Sequence, residues 1–308
     1  MALARAGLHV EVDAPLGRRV SWRVGGPADG LVLAHDTAAL QAVQRVAAAH
    51  ALPVLPLGAG SNLLVADAGV RGLVVPLGGA LADTEVEDDV VVAGAGLRLV
   101  ALLARASRAG WAGLEGLAGI PGTVGGAVRM NAGTSLGEVG DRLLWVEIVH
   151  RGGAVERLEA GALGLAYRTC HLPPGAIVAR AALRTDGDAE RSAVAMRDFL
   201  ARRKATQPLD QPSCGSTFRN PPGDAAGRLI EAAGLKGLSV GGAQVSPKHA
   251  NFLVNTGGAT ARDLASLVAE VQARVFAHAG VWLHPEVEVV GDWGPEGCPI
   301  SLSAPRPG

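Results

Sequence analysis

Apolar and polar positions along the first half of this chain switch repeatedly between a two-residue and a 3.6-residue period. Residues 30–34 (GLVLA), 52–57 (LPVLPL), 73–76 and 90–93 read as short strands. Between them, Asp36-Thr37 offers a cap for a helix with Leu40, Val43 and Ala47 on one face. A second helix is expected after Gly96, with Leu97, Val100, Ala101 and Ala104 as its buried stripe. Strand–helix–strand order at this spacing argues for an α+β or α/β nucleotide-type domain. Three strands follow, at WVEIVH, AVERL and AIVARAAL, and the pattern turns helical from Glu190. Prolines 208 and 212 mark a domain junction at 206–213. Two more helices are expected, over 224–233 with Gly234 as the stop, and over 260–278 with Asp263 three residues after a capping Thr260.

Glycine density changes this picture most. Residues 113–133 (GLEGLAGIPGTVGGAVRMNAG) hold seven glycines, yet Leu, Ile, Val and Ala fill the gaps where surface turns carry Ser, Asp and Lys. Ordering so much glycine is entropically costly, and close backbone approach to a phosphate or flat ring is the usual reason. The turn Gly58-Ala59-Gly60-Ser61-Asn62 ends a buried strand and supplies a second backbone cradle, as a long diphosphate cofactor needs. In VVVAGAG (90–96) the third glycine of a dinucleotide fingerprint falls on Leu99, so that segment reads as a strand-to-helix turn; no P-loop is present.

Several polar groups stand out, each with a bland alternative. Arg168, after the single tyrosine Tyr167, is either a bidentate fork for a carboxylate or a strand-end residue packing its stem. Ser216 in CGSTFRNP is either a proton donor or a turn cap, and it lacks the G-x-S-x-G elbow of a hydrolase. Alone, Glu286 reads as surface charge. Arg197, Arg202, Arg203 and Lys204 read as a solvated helix end or a face toward an anion. Net charge of −1 gives no electrostatic case for nucleic acid or an anionic membrane, and no apolar run is long enough to span one. Three widely spaced cysteines suggest neither a disulfide framework nor zinc, and the histidines have no ligand spacing, so no metal is expected. The N-terminus reads as cytoplasmic, and a monomer is the default.

Taken in order, SWRVGGPAD (21–29), LGAGSNLLV (57–65), the 113–133 loop, YR (167–168), CGSTFRNP (214–221), AGRLIEAAGLKG (226–237), GGAQVSPKHANFLVN (241–255) and HPEVEVVG (284–291) resemble the UDP-N-acetylenolpyruvoylglucosamine reductase family. The short Tyr167–Ser216 spacing is similar to its compact branch, which lacks an extra substrate-covering loop. The resemblance implies an α+β fold. A two-subdomain FAD-binding domain (PCMH/VAO-like) would span 1–80 and 81–189, with an α+β substrate-binding domain over 190–291 and a loose tail over 292–308. It implies FAD and NADPH as cofactors and the enolpyruvyl ether of UDP-N-acetylglucosamine as substrate. Gly58, Gly60, Ser61, Asn62, Gly119, Ile120, Pro121, Gly122, Thr123, Gly125, Gly126, Asn131 and Gly133 would meet FAD. By the same resemblance Ser216 donates a proton, Arg168 and Glu286 polarise the enolpyruvyl carboxylate, and Tyr167, Asn220, Lys236 and His249 line the substrate pocket. The family pattern Tyr-Arg-x-Ser is broken by Cys170, a poorer hydrogen-bond donor. Two rivals stand beside the reductase: an FAD-dependent alcohol or sugar oxidase, and a non-catalytic flavin or nucleotide-sugar binding module.

Overall fold

A computed structural model describes residues 2–303. The chain divides into two units, and the division differs from the linear order expected. The first unit takes residues up to Asp13, Asp29–Ala59 and Gly72–Arg202; the second takes Ala14–Ala28, Gly60–Arg71 and the chain from Arg203. The expected junction at 206–213 is displaced into the helix Ala189–Thr206, between Arg202 and Arg203.

In the first unit a five-stranded antiparallel sheet runs in the order Val155–Glu159, Leu143–Val149, Ile177–Arg184, Val90–Gly94, Thr84–Glu87. The central strand Ile177–Arg184 is almost continuously apolar because both its faces are buried. A second sheet orders Glu11–Pro15, Pro27–Leu31, Val70–Pro76 and Val54–Leu57, and its last pair is parallel, with Val54 opposite Leu73. The expected strand 30–34 is thus shifted toward the N-terminus; Leu33 is exposed, and Ala34 contributes only an isolated bridge to Leu77. Helix Thr37–Ala49 begins as expected, with the Asp36 carboxylate accepting the Ala39 amide at 2.7 Å. Its buried Gln44 donates to the carbonyls of Val149 and Gly175.

Helix Leu99–Ala109 starts two residues later than the sequence pattern suggested, and its buried face is Leu99, Leu102 and Ala106. Val100, expected inside, is 70% exposed. Backbone pairing sets the phase: the Leu99 amide donates to Gly122 and the Val124 amide to Leu97, which holds Arg98 extended in a bridge to Thr123 immediately before the helix starts.

The second unit is built around helix Ala261–Ala279, whose face Leu264, Val268, Val271 and Val275 is fully buried. Thr260 and Asp263 form the expected capping box. The Asp67 carboxylate, nearly two hundred residues away in sequence, also accepts the Ala261 and Arg262 amides. Trp22, fully buried, donates its indole N–H to the Leu253 carbonyl at 2.8 Å, and Asn255 donates back to the Trp22 carbonyl. Leu63–Val65 pairs in parallel with Glu288–Val290. These contacts recruit the two N-terminal segments into the C-terminal core, something no local pattern signals.

The expected loose tail is also corrected. Trp293, Cys298 and Ile300 pack on the second unit's core, and Gln272 donates to the Ser301 carbonyl at 2.8 Å. Residues 304–308 of that expected tail lie outside the described residues.

Candidate active site

In the first unit the glycine-rich loop lies along the end of a sheet strand. The Gly125 amide donates to Ala95, Val124 to Leu97, and Arg98 bridges Thr123. A Cβ at Gly125 would stand 2.8 Å from that of Ala95, so the loop can approach this closely only with glycine there. The Thr123 hydroxyl caps the short helix Val124–Arg129 by accepting the Gly126 amide. A Cβ at Gly58 would lie 2.6 Å from the same hydroxyl. The start of the 58–62 turn and the 119–126 loop are therefore neighbours, as a shared cradle requires.

Arg168 and Tyr167 form the tip of a two-residue turn closed by reciprocal backbone bonds between Ala166 and Thr169. Arg168 holds φ at 53°, an uncommon backbone state for a residue with a side chain, at a cost on the order of 1 kcal/mol. Its guanidinium donates to the Gly133 carbonyl at 2.9 Å and lies 4.9 Å from the centre of the Tyr167 ring. Arg168 therefore stands at the tip of a turn, with its guanidinium beside the Tyr167 ring. Cys170, the departure from the family pattern, is buried in the first unit's apolar cluster, and burial pushes its thiol pKa up. It serves as a small apolar side chain.

Asn131, expected to meet FAD, has its amide engaged inside the protein. The side chain is fully buried, donating to the Glu138 carboxylate at 2.6 Å and the Ala166 carbonyl at 3.0 Å while accepting the Gly140 amide at 2.7 Å.

In the second unit the segment 216–220 is held between Asn251 and Glu286. On one side the Thr217 amide donates to the Asn251 carbonyl; on the other, the Glu286 amide donates to the Thr217 carbonyl at 2.8 Å. Asn251 clamps this segment with its side-chain amide, accepting the Phe218 amide and donating to the Phe218 carbonyl. The GGAQVSPKHANF run contained Asn251, but only the fold reveals what it clamps. Ser216 is half-buried. Asn62 donates its amide to the Glu286 carbonyl at 2.9 Å and accepts the Glu288 amide on its backbone. Gly60, at φ +62° and packed on the Arg19 carbonyl, gives the chain the turn that brings Ser61 and Asn62 there.

His249 lies beside Phe252, ring centres 4.8 Å apart, and its Nδ1 accepts the Asn251 amide at 3.3 Å. Burial, and then the positive charge of Lys236, push its pKa down, so the neutral ring carries its proton on Nε2. Lys236 pairs with Glu231 at 2.7 Å, and Asn220 accepts the Ala226 amide at the start of helix Ala226–Ala232. Among the described residues, no helix is long and apolar enough to cross a membrane and no group of acidic, His or Cys side chains is set to hold a metal.

Comparison with known proteins bears on the same segments. Residues 207–290 match the UDP-N-acetylenolpyruvoylglucosamine reductase C-terminal domain, and residues 28–159 match an FAD-binding domain. A UDP-N-acetylenolpyruvoylglucosamine reductase of Anaeromyxobacter dehalogenans (strain 2CP-C) is 50% identical over 291 residues, covering 94% of this chain and 88% of that protein. One of Acidiphilium cryptum (strain JF-5) is 48% identical and covers 94% of each chain. The crystal structure of the Thermus caldophilus reductase matches with a TM-score of 0.81 at 42% identity, over 92% of this chain and 99% of that one. The fold is α+β with an FAD-binding domain, and with similarity of this extent the chain belongs to the UDP-N-acetylenolpyruvoylglucosamine reductase family.

Proposed function

We propose that this FAD-binding oxidoreductase reduces the enolpyruvyl ether of UDP-N-acetylglucosamine to UDP-N-acetylmuramate, with NADPH as the electron source. The observation that carries the reading is the close approach of Gly58 to Thr123, which sets the start of one glycine-rich segment against the other within the first unit. Gly58, Gly60, Ser61, Asn62, the 119–126 backbone and Gly133 would hold the cofactor. Bare backbone fits a diphosphate. FAD supplies the hydride that reaches the terminal carbon of the enol ether.

The protein's own residues handle the charge and the proton. Negative charge develops on the adjacent carbon and its carboxylate, and Arg168 offers a fixed cationic fork to it. Glu286 supports the same carboxylate, which requires that it be protonated or paired. Ser216 protonates the carbanion-like centre. A serine is a weak acid, but the centre it quenches is a strong base. Tyr167, Asn220, Lys236 and neutral His249 orient the nucleotide sugar, with Lys236 toward its diphosphate and His249 donating from Nε2.

One cuvette tests the reading. Purified protein is reduced with NADPH without oxygen and then given the enolpyruvyl sugar nucleotide. Flavin bands that bleach and then return with substrate support the reductase. Bands that return only with oxygen point to an oxidase, and bands that never respond to NADPH point to a binding module. Ser216→Ala is expected to keep the bleaching step and slow the return by about 10²- to 10⁴-fold. A normal return rate removes Ser216 from its role.

A further inference from the structure

The buried amide of Asn131 sits at the centre of a closed ring of contacts that includes Arg168. Its Nδ2 donates to the Ala166 carbonyl, at the base of the turn that carries Arg168. Arg168 returns across the turn to the Gly133 carbonyl, two residues from Asn131. Gly133 in turn pairs with Glu138 in a two-stranded ladder, and the Glu138 carboxylate accepts the second Nδ2 hydrogen of Asn131. The Gly140 amide closes the set on Oδ1.

The chemistry of these partners fixes the amide's orientation. A carboxylate and a carbonyl only accept, and a backbone N–H only donates, so the two ends of the side chain cannot exchange. The backbone of Asn131 itself is left-handed, at φ 43°, a state asparagine tolerates better than most side chains. A buried polar group with three satisfied bonds rigidifies what it touches. What it touches here is the turn that holds Arg168 at its own unusual φ.

We infer that Asn131 is a positioning residue for Arg168, setting the direction of the guanidinium fork. This rests on the reading of Arg168 as the carboxylate-binding group. Aspartate at 131 would face the Glu138 carboxylate and the Ala166 carbonyl with oxygen, reversing two of three contacts.

The test uses the full-length, flavin-loaded protein and two rates: bleaching by NADPH and substrate-dependent return of the flavin bands. Each is measured for wild type, Asn131→Ser, Arg168→Ala and the double variant. Asn131→Ser is expected to slow the return about 10- to 100-fold more than the bleaching, the range that misplacing a reacting group costs. In the Arg168→Ala background the same change is expected to add less than about twofold, because the two residues act as one unit. If Asn131→Ser does not retain flavin, Glu138→Ala, which removes one of the three contacts, is read in the same way. Equal slowing of both rates, or a full multiplicative loss in the double variant, overturns the inference and leaves the role of Arg168 intact. A normal return rate in Arg168→Ala alone overturns the reading of Arg168, and the inference with it.

Discussion

Arg168 reaches back 35 residues to donate to the Gly133 carbonyl at 2.9 Å, so the cation expected to meet substrate is anchored on the end of the glycine-rich loop. One guanidinium nitrogen is committed to this anchor, which limits the directions left for a carboxylate. Arg168→Lys keeps the charge but loses the planar fork. It is expected to slow substrate-dependent flavin return by about 10- to 100-fold and to leave bleaching by NADPH much less affected. Stopped-flow absorbance separates the two, and equal effects on both would detach Arg168 from the substrate step.

Gly125 faces the Ala95 Cβ across a gap that leaves no room for a methyl group. Gly125→Ala is expected to destabilise the protein by about 1–3 kcal/mol, the usual cost of overpacking, and to weaken flavin retention by displacing the loop. Thermal unfolding with and without added FAD checks both. Wild-type stability and flavin content in this variant would mean that the loop is not held where it must be glycine.

His249 titrates below its ordinary value because burial, then Lys236, disfavours its charged form. A folded-state pKa below the unfolded one means the native protein binds fewer protons, so stability rises with pH. The contribution is complete above the unfolded value of 6.5 and declines as pH falls below it. NMR of the ring protons is expected to place its midpoint under 6.5, and His249→Gln to flatten stability against pH in that window. A midpoint above 6.5 would contradict the burial argument.

Asp67 caps a helix that its own sequence already caps through Thr260 and Asp263. Asp67→Ala leaves the Ala261 and Arg262 amides without this acceptor and is expected to cost about 1–2 kcal/mol. Urea unfolding measures it. An unchanged midpoint would show that the local capping box suffices.

How far the sequence carried the reading depended on the range of the interaction involved. The helix at Thr37 and the capping box at Thr260 follow from neighbours within four residues, and both stand as expected. The strands at 54–57, 70–76, 90–94, 143–149, 155–159 and 177–184 were legible to within a few residues as short apolar runs, whereas the polar strands Glu11–Pro15 and Thr84–Glu87 were not. The face of helix Leu99–Ala109 was not, since its start is set by pairing with Gly122 and Val124, and 3.6-residue periodicity shifts wholesale when a start moves by two. The glycine-rich loop stood out from composition alone. That Gly58 touches Thr123, or that Asn131 turns inward to Glu138 and Ala166, depends on contacts across many residues that no local pattern encodes. The same holds for Trp22 and Asp67, whose partners lie some two hundred residues away.

Those long stitches govern the order in which the protein can form as it is synthesised. Residues 72–202 emerge as one continuous stretch and can pair their own five-stranded sheet while the rest of the chain is still being made. Trp22, Leu63–Val65 and Asp67 leave the ribosome well before their partners at Leu253, Glu288–Val290 and Ala261, which follow some two hundred residues later. Over that interval an indole and a strand wait for the groups that pair with them. The second unit therefore completes only after residues 253–290 have been made, and cutting the chain at the proline-rich junction would divide its core, with Trp22 and Leu64 on one piece and Leu253 and Val287 on the other.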